Sequence, residues 1–157
     1  MKLSKRQDID APIAFVFAEL SDFESWENAA LRRGADVRRT DQLAHVGPGM
    51  AWDLAFSYRG KPRRLSVRLV KLKSPGEIRF QGVGTSIDGT LSVDLLEMAP
   101  ARTRVTVQME LSPRTIVARL FLQSLKLAKS KVDDRFKSRV SMVLDEIEAR
   151  QRPQGRV

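Results

Sequence analysis

His45 is the only histidine in the chain, and cysteine is absent. Zinc sites draw mainly on those two residue types, so a metal centre is not expected, and neither are disulfides, thiolate chemistry or cysteine nucleophiles. A Ser-His-Asp relay would have to use His45, in the loop His45-Val46-Gly47-Pro48-Gly49, and no nucleophile-elbow sequence accompanies it. The expectation is an exposed loop histidine; the sharper reading puts it at a cavity mouth, touching a ligand or titrating near neutral pH. Gly82-Val83-Gly84 and Gly47-Pro48-Gly49 lack the strand-then-helix setting of a dinucleotide fingerprint, there is no Walker sequence, and no cofactor is expected. Both glycine pairs read as bends and turns. Asp133 and Asp134 sit beside Lys131 and Arg135 and read as a solvated helix face. Arg39 shares strand parity with Val37, so its guanidinium could turn inward to meet a ligand carboxylate or phosphate. Asp53 and Tyr58 complete the residues able to act as acid, base or orienter if the chain is an enzyme.

The elements that would position these groups follow from hydrophobic period. Leu3, Lys5, Gln7 and Ile9 begin a first strand, and Asp10 with Pro12 signals a helix start. Ile13, Val16, Phe17 and Leu20 recur at helical spacing. A second helix, capped by Ser21 or Asp22, carries Phe23, Trp26 and Leu31 and ends at Gly34. Beyond Gly34 the period becomes two. Val37 opens a modest strand; Met50, Trp52, Leu54, Phe56 and Tyr58 form a strong one. After the turn Arg59-Gly60-Lys61-Pro62, Leu65, Val67 and Leu69 share a face until the phase slips at Val70 and Leu72, which predicts a bulge. Ile78 and Phe80, then Ile87, Leu91, Val93 and Leu95, then Val105, Val107, Met109 and Leu111 mark three more strands. Ser112-Pro113 reads as a helix start. Leu120, Leu127, Phe136, Val140, Leu144 and Ile147 then mark one face of a helix running to about Arg150, on the order of 55 Å long.

Strand, two short helices, six strands and a long terminal helix is a β-α-α-β6-α order. The chain resembles the START-like (SRPBCC) superfamily of helix-grip proteins, which includes polyketide cyclase/dehydrase-like proteins, lipid-transfer domains and the birch pollen allergen family. The resemblance rests on Ile9-Asp10-Ala11-Pro12, Asp22-Phe23-Glu24-Ser25-Trp26, Val46-Gly47-Pro48-Gly49 followed by Trp52, and Thr103-Arg104-Val105-Thr106-Val107. It covers residues 1–150, leaving 151–157 as a frayed tail. It implies an α+β fold: a curved antiparallel sheet of about seven strands with the long helix packed across it. It also implies an apolar pocket between sheet and helix, and it supplies no shared catalytic residues.

Several side chains fall on faces that such a fold turns inward, and they are the expected cavity lining: Trp26, Arg39, Trp52, Leu54, Phe56, Val67 and Leu69. Phe80, Leu91, Val93, Val107, Leu120, Phe121 and Phe136 continue the set. Each aromatic taken alone is an ordinary core residue.

A formal net charge of +9 is the one compositional outlier. Between Asp53 and Glu77 stand Arg59, Lys61, Arg63, Arg64, Arg68, Lys71 and Lys73 without an acid; Arg114, Arg119, Lys126, Lys129 and Lys131 follow Glu110, again without one before Asp133. Asp145, Glu146 and Glu148 crowd the other end of the last helix, the reverse of what its dipole favours. A basic amphipathic stretch can lie on anionic membrane, but its apolar stripe is also required by the sheet. Nucleic-acid binding is not expected, since exposed aromatics do not interleave with the basic blocks. No run approaches the roughly 20 apolar residues of a membrane span, and the basic N-terminus, interrupted by Asp8 and Asp10, does not read as a signal peptide; a cytoplasmic protein is expected. The leading expectation is a carrier or sensor of a small hydrophobic or amphipathic molecule, not an enzyme. A cyclase- or dehydratase-like enzyme is the first alternative, a basic module for an anionic membrane or acidic partner the second. Oligomeric state is not encoded legibly.

Overall fold

Alternating apolar and polar residues build one antiparallel sheet in the computed structural model, which describes residues 1–151. The strands are β1 (Lys2–Ile9), β2 (Asp36–Arg39), β3 (Ala51–Tyr58), β4 (Lys61–Lys73), β5 (Glu77–Gly84), β6 (Ile87–Ala99) and β7 (Arg102–Pro113). Their spatial order is β1-β7-β6-β5-β4-β3-β2, a meander from β2 to β7 with β1 added beside β7. Helices α1 (Ile13–Leu20) and α2 (Phe23–Arg32) follow β1; α3 (Ile116–Leu127) and α4 (Lys129–Gln151) follow β7. The expected α+β helix-grip architecture is therefore present. Gln151 closes α4, and the rest of the expected tail, 152–157, lies outside the described residues.

Val16 and Phe17 of α1, Phe23 of α2, and Leu144 and Ile147 of α4 are buried against Trp52, Leu69, Ile78, Val93 and Val105 of the sheet. The space under α4 is thus filled by side chains. Thr103, fully buried, donates its hydroxyl to the Ala11 carbonyl at 2.8 Å, so a polar group in this core is satisfied. The expected slip in β4 is a bulge: Leu69 pairs with Phe80, and after Val70 is skipped Lys71 pairs with Arg79.

The first helix starts, as expected, beside Pro12, which is the N-cap residue before Ile13, while the Asp10 N–H donates to the Glu148 carboxylate at 2.6 Å. Three local expectations are corrected. The turn after β3 is only Arg59-Gly60, both at positive φ, because Lys61 and Pro62 already pair with Tyr58 and Ser57. Gly82 and Gly84 lie in β5 and its ladder rather than in a turn, and a Cβ on Gly84 would stand 2.6 Å from the Ile87 carbonyl oxygen. The terminal helix is two helices. Ser112 and Pro113 remain in the ladder opposite Asp88 and Ile87, so the start passes to Thr115, whose hydroxyl accepts from Ala118 N–H at 3.0 Å. A break at Ala128 (φ −107°) then separates α3 from α4. The two buried stripes are nearly in phase, 22 residues apart from Leu122 to Leu144 at about 100° each, which is why the sequence reads as one helix.

The acids of α4 also find a role. Asp145 accepts from the Gln7 side chain at 2.8 Å and Glu148 from Asp10 N–H, so two of the three acids fasten the helix to β1 and the segment after it.

Candidate ligand-binding face

Residues opposite one another on neighbouring strands share a face of the sheet. One row runs Arg39, Trp52, Val67, Gly82, Gly89, Leu111; the next toward α3 runs Val37, Leu54, Leu65, Gly84. Leu69, Phe80, Leu91 and Met109 form the row on the other side. All belong to the concave face that the helices cover. Trp52, Leu69, Val93 and Val107 are buried in the core, whereas Leu54, Val67, Phe80 and Leu91 are half-buried and Phe56 is exposed. The closed core therefore gives way, toward α3, to an apolar surface that α4 does not cover.

Two glycines face each other at the middle of this surface. A Cβ on Gly82 would meet Leu65 Cδ1 at 3.3 Å, and one on Gly89 would meet Leu111 Cδ2 at 3.3 Å. The leucines lean over the space the glycines leave, so the floor is shallow and its cover consists of flexible chain ends. At the edge of the sheet an open cleft of about 540 Å³ is bounded by Leu31, Val37, Leu54 and Leu65 together with Arg38, Asp53, Arg64, Ser66 and Val83 of the opposite face, so it lies apart from Trp52 and the two glycines.

Phe23 meets Trp52 and Phe80 edge-on, with centroids 5.7 Å (Phe23–Trp52) and 5.8 Å (Phe23–Phe80) apart. Trp52 Nε1 is buried without an acceptor, an omission that costs about 1–3 kcal/mol when nothing else fills it. The Arg39 guanidinium lies 5.8 Å from the Trp52 ring centroid. Both its Nε and Nη2 donate to Asp41, each at 2.6 Å, and the Asp41 carboxylate also accepts from Leu43 N–H at 2.9 Å and Ala51 N–H at 2.8 Å. Arg39 does stand on the concave face, yet its fork is occupied by Asp41, two residues further on. The guanidinium above all, and then the Ala51 N–H, hold the Asp41 carboxyl far below the usual aspartate range.

That shift has a definite sign. Asp41 in the fold keeps its charge where an unfolded aspartate, with a pKa of about 3.9, begins to protonate. Its contribution to stability is complete above the unfolded value and is lost as pH falls through the folded one. Asp41→Asn should lower the denaturant midpoint by a constant amount above about pH 5 and by a shrinking amount as pH falls below about 4. Asp8, held down chiefly by Arg104, and Glu77, held down chiefly by Lys71, leave an acid slope in the variant. Midpoints that differ equally at every pH would show that the carboxylate charge plays no part.

Other expected lining residues lie apart. Trp26 is exposed on α2 and donates Nε1 to the Leu20 carbonyl at 3.2 Å. Phe136 packs on the core from α4; Phe121 is half-buried and Leu120 exposed on α3. Asp53 is on the opposite face of the sheet, bonded to Arg38 at 3.2 Å and Ser66 at 3.1 Å. Tyr58 is six residues from Trp52, roughly 20 Å along β3. The three groups suggested for acid–base work thus do not converge. His45 is exposed in the loop before β3, at the end of the sheet away from α3. Among the described residues no His, Cys, Asp or Glu cluster suits a metal ion. Sequence reading passed over Asp41, Phe23 and Gly89; strand parity with Leu91 was the available signal for Gly89, and spacing from Arg39 for Asp41.

No family model matches the chain, and no curated protein matches it. Solved structures do. The Zhui aromatase/cyclase from Streptomyces sp. R1128 superposes with a TM-score of 0.70 at 16% identity, covering 100% of this chain and 99% of that one. A protein from Thermus thermophilus gives 0.68 at 14% identity, over 95% of this chain and 98% of its own. A START superfamily protein from Mycobacterium smegmatis gives 0.55 at 12% identity, over 85% and 95%. The fold is START-like, as the order of elements implied.

Proposed function

We propose that the chain binds a small hydrophobic or amphipathic ligand (lipid-, polyketide- or isoprenoid-like) on the concave face beside Trp52, as a carrier or sensor. The observation that carries this is the half-exposed apolar surface with facing glycines at its centre and an unpartnered buried indole N–H beside it. Affinity would come from burial, at about 25 cal/mol per Å², with the Trp52 N–H selecting an oxygen acceptor at the ligand's polar end. A cyclase- or dehydratase-like enzyme draws support from the likeness to an aromatase/cyclase, but the separation of Arg39, Asp53 and Tyr58 favours the carrier.

Native mass spectrometry of gently purified protein should show a retained lipid-like mass that organic extraction removes. Trp52→Phe keeps the ring and removes the donor, and should weaken a carboxylate-bearing fluorescent fatty-acid probe about fivefold to tenfold. A protein free of adducts that also ignores the probe would end this reading.

A further inference from the structure

Helix α3 is apolar on two opposite sides. Ala118 and Leu122 are buried, and at about 100° per residue they lie at about 200° and about 240° when Ile116 is set at zero. Leu120 and Leu127 then lie at about 40° and about 20°, on the same side as Ile116 and facing away from the protein. Their exposure is 78% for Ile116, 60% for Leu120 and 91% for Leu127, with Val117 beside them at 77%. Two apolar sides on one helix call for two partners, and the sheet supplies only one.

The surroundings of the outer stripe are basic. Arg119 and Lys126 share one flank, at about 300° and about 280° on the same scale. Lys129 and Lys131 follow at the start of α4. On the other flank the Arg59 guanidinium lies 5.7 Å from the Phe121 ring centroid, which brings the β3–β4 turn, with Lys61 and Arg63 behind it, alongside α3. Arg114 ties the helix start to the β5 end, donating to the Gly84 carbonyl at 2.9 Å. No acid interrupts the chain from Leu111 to Val132 or from Leu54 to Gly76. Apolar side chains stand free on a convex helix, with long cationic chains along its edges.

We infer that this surface docks on an anionic lipid bilayer, with Ile116, Leu120 and Leu127 inserted at the boundary between headgroups and acyl chains. Lys and Arg stems lie along such a boundary while their charges reach the headgroup phosphates. A second copy of the chain would oppose basic flank to basic flank at a net charge of +9 each, and is disfavoured. No helix among the described residues is long and apolar enough to cross a membrane, so α3 would lie on the surface. The stripe measures about 16 Å, sufficient to hold the helix parallel to the bilayer. Docking through α3 does not require that the concave face hold a ligand.

The test is co-sedimentation with vesicles of phosphatidylcholine alone and of phosphatidylcholine mixed with phosphatidylglycerol. The protein should pellet with the anionic vesicles only, at least about tenfold less once salt reaches roughly 0.5 M. Ile116→Ser/Leu120→Ser/Leu127→Ser alters exposed side chains, so it should keep the wild-type melting curve and lose binding about tenfold or more. Arg119→Glu/Lys126→Glu should do the same. Failure to pellet, equal binding to both vesicle types, or a triple variant that binds as wild type would each overturn the proposal. So would a wild-type dimer in analytical ultracentrifugation that the triple variant dissolves, because the stripe would then belong to a second copy.

Discussion

Ile147→Ala should unfold the protein about 4–20 °C below the wild type. Ile147 is completely buried on α4 and, with Leu144, closes the core over Ile9, Val16 and Val105. Cutting an isoleucine to alanine in such a site removes its transfer energy and leaves a cavity, typically about 2–5 kcal/mol. At this chain length each kcal/mol moves the midpoint by about 2–4 °C. Met142→Ala, on the exposed side of the same helix, should stay within about 0.5 kcal/mol of wild type and controls for helix propensity. Equal melting shifts in the two variants, read by circular dichroism, would mean that α4 does not close the core.

Gly82→Leu is expected to abolish ligand retention while leaving a folded protein. Its Cβ would meet Leu65 Cδ1 at 3.3 Å, so Leu65 has to lift off the sheet, and the new side chain takes the space over Gly89. Overpacking of this kind costs about 1–3 kcal/mol, which a domain of ordinary stability survives. The fatty-acid probe, however, should bind at least about tenfold more weakly, because the floor of the proposed site is then occupied. Val83→Leu places the same bulk one residue away on the opposite face, where Val83 is exposed, and should leave probe affinity unchanged. Equal losses in both variants would point to general destabilisation, and no loss in Gly82→Leu would place the ligand elsewhere.

Most of the architecture was legible because the sheet's two faces differ in polarity at almost every strand. Trp52, Leu54 and Phe56 against Asp53 and Ala55 set a face and a register, and the slip at Val70 showed in the phase alone. What escaped were features decided by competition between two adequate local signals. Ser112-Pro113 could start a helix, but pairing with β6 captures both residues and Thr115 caps instead. The break at Ala128 leaves no mark, since alanine favours helix and the stripes on either side agree in phase. The candidate site was partly legible for a related reason. Strand parity places Arg39 on the concave face, but parity does not reveal that Asp41 engages its guanidinium. Sequence also provides one stripe per helix to a reader who expects one partner, so the outward stripe of α3 was counted as part of the inward one.

The pairing of β1 with β7 bears on how the chain acquires its shape during synthesis. Leu3 must wait for Met109, and Ile9 for Thr103, before either has a neighbour in the sheet. The meander from β2 to β7 is built of hairpins with contacts close in sequence, whereas β1 has no partner until β7 is present. During that interval β1 is an unpaired strand, the kind of segment that recruits other chains. Its Lys2, Lys5, Arg6 and Asp8 are therefore suited to a task that the finished fold no longer displays: keeping a waiting strand from the wrong partner.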